Sequence, residues 1–203
     1  MPCDREKTVF ISGSAYEYGR LEEEGAAFIR DLTRSLLRSD FKIITGFGTG
    51  VGNYVVESAL QEIYAQAGRR LTDQLRVFPF PTLNGGIRHP GLEVLHRSYR
   101  DDMIAKAGIA IFLFGNKLEE IAIREADGMR QEFEIARSHG IRIIPVGVSG
   151  YVSAALWKDL VDHYDDYFPD LRLFDSYLHL GDPDAGQAAW IDAVLRIANS
   201  THA

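Results

Sequence analysis

Four glycines at every second position, Gly46, Gly48, Gly50 and Gly52, separate an apolar run from a helix-like one and constrain this chain more than any other feature. Ahead of them lies Phe41-Lys-Ile-Ile44. Behind them, Asn53 to Ile63 has the spacing of an amphipathic helix. Glycine lets the backbone take positive φ and approach another group closely. A helix beginning just beyond presents unbonded N–H groups and a partial positive charge, which suits a phosphate. Strand, glycine loop and helix in that order form a unit of a layered α/β protein, and the loop points to a phosphorylated ligand, first of all a nucleotide. Four glycines exceed what a tight turn needs, which favours a ligand close to the backbone. The spacing is neither the G-x-G-x-x-G of dinucleotide enzymes nor a P-loop, since no Gly-Lys-Ser/Thr follows.

The same alternation runs along most of the chain. Thr8-Val-Phe-Ile11, Phe41–Ile44, Leu75–Phe80, Ile109–Phe114 and Ile141–Val146 read as strands, with Pro79 and Pro81 ending the third. Helices are expected over Leu21–Leu37, Tyr54–Ala67, Leu92–Ala107 and Met129–Ser138, the last stopped by Gly140. Apolar runs alternating with helices indicate a parallel sheet covered on both faces, a doubly wound α/β fold. Ligands of such folds sit beyond the carboxyl ends of the strands. In the tail, Ser153–Tyr167 is expected as a helix, Leu171–Leu180 as a strand and Ala185–Ala198 as a helix. With 203 residues and no linker or repeat, a single domain spanning 1–203 is expected.

Composition removes several functions. The net charge is −7 and no basic run exceeds a pair such as Arg69-Arg70, so nucleic acid is not the expected partner. A lone cysteine, Cys3, excludes a multi-thiolate zinc site and an internal disulfide. His163, Asp162, Asp165 and Asp166 read as a solvated helix face, so no metal is expected. No segment has the length of a membrane span, and the start lacks a signal-peptide core, which makes the cytoplasm the default.

Three further clusters follow strands or lie on helices. Ser12-Gly-Ser14, with Tyr16 and Tyr18 beyond, offers hydroxyls for phosphate or ribose and rings for a base. Arg100 and Tyr99 lie on the fourth helix; Arg97 on the same helix and Arg88 ahead of it are weaker candidates. Asn116 and Lys117 directly follow the strongest strand, and Glu132 is expected in the first turn of the next helix, where the dipole stabilises a carboxylate.

Taken together, Ser12-Gly-Ser14, the glycine loop, Arg100-Asp-Asp-Met103 and Gly128-Met-Arg-Gln-Glu132 resemble the SLOG superfamily, a Rossmann-like group that includes the LOG phosphoribohydrolases. In those enzymes an arginine stands in a Glu-Arg-Lys-x-x-Met context, and Pro-Gly-Gly-x-Gly-Thr-x-x-Glu follows. Arg100 with Met103, and Gly128 with Glu132, fall on these positions. The Pro-Gly-Gly element is replaced by Phe114-Gly-Asn-Lys117, an acidic insert Leu118–Asp127 precedes Gly128, and Met129 stands for the threonine. These departures resemble the SLOG sensor domains of Thoeris antiphage NADase effectors, over roughly Thr8–Val148.

The resemblance implies a ligand and partners. In that branch an arginine, a lysine and a glutamate bind a cyclic ADP-ribose isomer made by a TIR-domain partner, and Arg100, Lys117 and Glu132 match them in order and context. Ser12, Gly13, Ser14, Gly46, Gly48, Thr49, Gly50, Tyr99 and Asn116 complete the expected ligand set. No cofactor or catalytic residue is implied. A Sir2-like effector in the same polypeptide and a homo-oligomer are expected, this chain being a domain excised from a longer effector or a stand-alone relative. The alternative is a LOG-like hydrolase of AMP-type nucleoside 5′-monophosphates, with Arg100 and Glu132 catalytic.

Overall fold

The computed structural model describes residues 5–22, 24–80, 91–168 and 171–200. Cys3, Pro81 and Arg88 lie outside the described residues. Strands β1 (Thr8–Ser14), β2 (Lys42–Thr45), β3 (Leu75–Val77), β4 (Ile109–Phe114) and β7 (Arg142–Pro145) form one sheet in the order β3-β2-β1-β4-β7. Every neighbouring pair is parallel. Val9, Phe10 and Ile11 of β1, and all of β4, are buried, because a strand between two helical layers has no solvent face. The sheet is a doubly wound, Rossmann-like α/β arrangement.

The helices explain the cover. α1 (Glu24–Arg38) and α2 (Gly52–Tyr64) pack on each other, as do α4 (Leu92–Ile104) and α5 (Asp127–Ser138). In α1, Phe28, Ile29, Leu32, Leu36 and Leu37 recur at helical spacing and are fully buried. α3 (Leu71–Gln74) is a single turn ahead of β3, and α6 (Tyr151–Asp162) packs against β4 and β7. Among the described residues no helix is long and apolar enough to cross a membrane.

The structure departs from the expected elements at several places. Leu171–Leu180 is not a strand: α8 (Phe174–His179) occupies it, and burial at Tyr177 and Leu180 follows helical spacing rather than alternation. The helix expected over Ser153–Tyr167 is broken at His163 into α6 and α7 (Tyr164–Tyr167), and α9 (Gln187–Asn199) closes the chain. The insert after β4 is a hairpin of β5 (Asn116–Glu119) and β6 (Ala122–Glu125), separate from the main sheet. The third strand also stops at Val77, although the Phe78 N–H still bonds the Thr45 carbonyl at 2.8 Å.

Strand order reverses between β1 and β4. The chain winds from β1 outward to β3, then returns to place β4 on the other side of β1. A crevice therefore opens at the carboxyl ends of these two strands. Ser12, Gly13 and Ser14 end β1 there, paired with Phe112, Leu113 and Phe114.

Candidate functional site

The crevice holds a niche of about 140 Å³ lined by Ser12, Gly13, Ser14, Gly46, Gly48, Phe80, Arg100 and Glu132 among others. β1 brings the serines, the loop after β2 brings Gly46 and Gly48, α4 brings Arg100 and α5 brings Glu132. Ser12 Oγ donates to Glu132 Oε2 at 2.6 Å, and Arg100 Nε lies 3.4 Å from Glu132 Oε1. Arg100 Nη1 donates to Gln131 at 3.0 Å, and its guanidinium covers the Phe80 ring at 4.6 Å. Nη2 has no partner among the described residues. A Cβ on Gly128 would sit 2.7 Å from that Nη2, so glycine at the start of α5 is what admits the arginine. The Ser14 Oγ is buried with no hydrogen-bond partner among the described residues.

Glu132 is buried, and burial pushes its carboxyl above the ordinary carboxylate range; the Ser12 hydroxyl and the Arg100 charge oppose that rise. It stands in the second turn of α5, since the helix begins at Asp127, not in the first turn as expected. Its role is therefore set by the niche rather than by the helix terminus. Arg100 and Gly128 also line a wider groove of about 900 Å³ between α4 and α5, which continues outward past Arg97, Asp127 and Arg130.

The glycine loop works differently from its sequence reading. A Cβ on Gly48 would overlap the Gly13 carbonyl, and one on Gly50, at φ +72°, would overlap the Ala15 carbonyl. The loop is packed on the end of β1 and tied there by Ala15 N–H to Thr49 O at 2.7 Å. Close approach of the protein's own backbone thus accounts for these two glycines. No bond among the described residues uses the N–H groups of Gly48, Thr49 and Gly50, so the loop keeps donors while its carbons are occupied.

The remaining expected residues fall outside the niche lining. Asn116 is fully buried; its Oδ1 accepts from the N–H groups of Tyr16 and Glu17, and its Nδ2 donates to the Glu17 carbonyl. It holds the loop after β1. Tyr99 donates to the Pro79 carbonyl at 3.1 Å and packs edge-on against Phe78 and Phe80. Tyr18 donates to the Gly50 carbonyl, whereas Tyr16 is 55% exposed. Lys117 lines neither cavity; it pairs at 3.4 Å with Asp127, which borders the groove. Phe80 and Gln131 were not singled out from sequence: one read as the end of a strand, and the other stood inside the Gly128–Glu132 motif without a role of its own.

Fold and niche together define a Rossmann-like α/β domain with a small polar pocket at its switch point. Over residues 3–201 the chain matches the Sir2- and TIR-associating SLOG family, STALD, and it belongs to that family. It is similar to the NAD(+) hydrolase ThsA of Bacillus cereus (strain MSX-D12), with 40% identity over 164 residues, 80% of this chain and 33% of that protein. The ThsA of Cytobacillus dafuensis is 36% identical over 201 residues, 96% of this chain and 40% of that protein. The ThsA of Enterococcus faecium is 36% identical over 168 residues, 81% of this chain and 33% of that protein. The chain thus spans two fifths or less of the length of these relatives.

Proposed function

We propose that this domain senses a cyclic ADP-ribose isomer, a TIR-derived signal, and thereby regulates an NADase effector in antiphage defence. Membership of the Sir2- and TIR-associating SLOG family and similarity to ThsA support the reading. The observation that carries it is the Arg100–Glu132 pair at the switch point, held over Gly128 with Nη2 unspent among the described residues. A pyrophosphate would take up Arg100 in a two-pronged contact, with Lys117 adding a point charge from the hairpin. Ser14 Oγ and the N–H groups of Gly48 to Gly50 offer donors to phosphate or ribose oxygens. Glu132 would accept from ribose hydroxyls or the adenine amine. The niche holds only part of such a ligand; the rest extends into the α4–α5 groove.

A ligand can regulate only by binding one state better than another. In this reading the states are assemblies of the domain. Small-angle scattering and mass photometry with and without saturating cyclic ADP-ribose isomer test it. A changed particle mass or shape is expected; identical assembly and shape would remove the mechanism.

A further inference from the structure

β5 and β6 pair with each other and stand apart from the five-stranded sheet. Two strands alone are marginal in water, yet this hairpin carries Leu118 at 45%, Ile121 at 98% and Ile123 at 39% exposure. Leu118 and Ile123 are directly opposite in the ladder and share a face. The root is fixed. Asn116 is locked by its three bonds to Tyr16 and Glu17, and the Ala126 N–H closes the base on the Gly115 carbonyl at 2.9 Å. A rigid root with an apolar arm is built to meet something.

The arm's outer edge says what. The turn is the two residues Glu120 and Ile121, so bonded pairs fall at Glu119–Ala122 and Lys117–Arg124. The N–H and C=O of Leu118 therefore face away from β6. Short strands and like charges blunt such an edge; in the four-residue β5, however, Lys117 and Glu119 of opposite sign flank a leucine. That pattern is self-complementary. Under a two-fold axis through Leu118, Lys117 of each copy stands opposite Glu119 of the other, and the two leucines meet at the centre.

We propose that β5 pairs antiparallel with β5 of a second copy of this chain, about a two-fold axis at Leu118, giving a four-stranded ribbon β6-β5-β5-β6. The Leu118 backbone groups exchange two hydrogen bonds across the axis, and two Lys117–Glu119 pairs flank them. In the single chain Lys117 already lies 3.8 Å from its own Glu119 and 3.4 Å from Asp127, so pairing exchanges a contact along the strand for one across it. The inference stands on the hairpin alone and does not rest on the ligand.

The test is sedimentation equilibrium of the ligand-free 203-residue chain over a micromolar concentration series, with three variants. The wild type is expected to dimerise. Glu119→Lys sets lysine against lysine twice and should weaken the dimer roughly tenfold. Lys117→Glu with Glu119→Lys rebuilds the pairing with signs exchanged and should restore it to within about threefold. Leu118→Asp should leave monomers. All sites are on the exposed arm, and an unchanged melting curve separates lost association from lost folding. A wild type monomeric throughout, a dimer indifferent to Glu119→Lys and Leu118→Asp, or failure of the double exchange to restore association would each overturn the proposal.

Discussion

Two glutamates of this domain meet an arginine from a neighbouring helix, and their carboxyl groups shift in opposite directions. Glu62 of α2 accepts from Arg38 Nε and Nη2, both at 2.9 Å, and from Gln66 at 2.6 Å. The fork of Arg38 holds its carboxyl below the ordinary range against the opposing effect of burial. Glu132 has one Arg100 contact at 3.4 Å and one serine, and there burial prevails and the carboxyl rises. The first pair ties α1 to α2, with both carboxylate oxygens of Glu62 taken by the arginine fork. The second leaves an arginine N–H group facing the pocket. Residue types are the same; geometry separates a clamp from a site.

The comparison breaks most sharply on ligand affinity. Arg100→Ala is expected to weaken binding of a cyclic ADP-ribose isomer roughly a hundredfold or more, the scale of lost charge-assisted contacts to phosphate. Arg38→Ala should change it less than about twofold, its charge being far from the pocket and screened. Calorimetry of both variants checks this, and equal losses would erase the distinction.

A smaller effect lies in the pH dependence of stability. Glu132 has a raised folded pKa, so its contribution is complete below the unfolded value of about 4.3 and is lost as pH rises through the folded value. Glu62 has a lowered pKa, so its contribution is present above about 4.3 and is lost as pH falls through the folded value. Melting curves across pH for Glu132→Gln and Glu62→Gln should each lack one of these slopes, on the order of a few degrees in Tm. Slopes of the same sign would show that the two environments do not differ as described.

Much of this was legible in the sequence where one residue pattern had one structural solution. Ile109–Phe114 is apolar throughout because both faces of β4 are covered, and it read as a strand with the observed limits. Leu171–Leu180 failed because its two Leu-x-Leu pairs, Leu171/Leu173 and Leu178/Leu180, each fit a strand locally, while the burial of Tyr177 and Leu180 that makes it helical depends on the rest of the core. The hairpin gave no turn signal: Glu120 takes φ 57° with no glycine or asparagine to announce it. At the site, Arg100 and Glu132 were found by motif spacing, and the structure joins them. The glycine loop was read as space for a ligand, whereas Gly48 and Gly50 admit the Gly13 and Ala15 carbonyls. Asn116 was read as a ligand contact because it follows the strongest strand; its amide is engaged by Tyr16 and Glu17, which no local pattern foretells.

The most direct test is isothermal titration of the wild-type chain with cyclic ADP-ribose isomers, ADP-ribose, NAD and AMP. A cyclic isomer is expected to bind at least about tenfold more tightly than the linear nucleotides, a difference of about 1.4 kcal/mol, with AMP left intact. Equal weak binding of all of them, or release of free adenine from AMP at enzymatic turnover, would contradict a sensor built on Arg100 and Glu132.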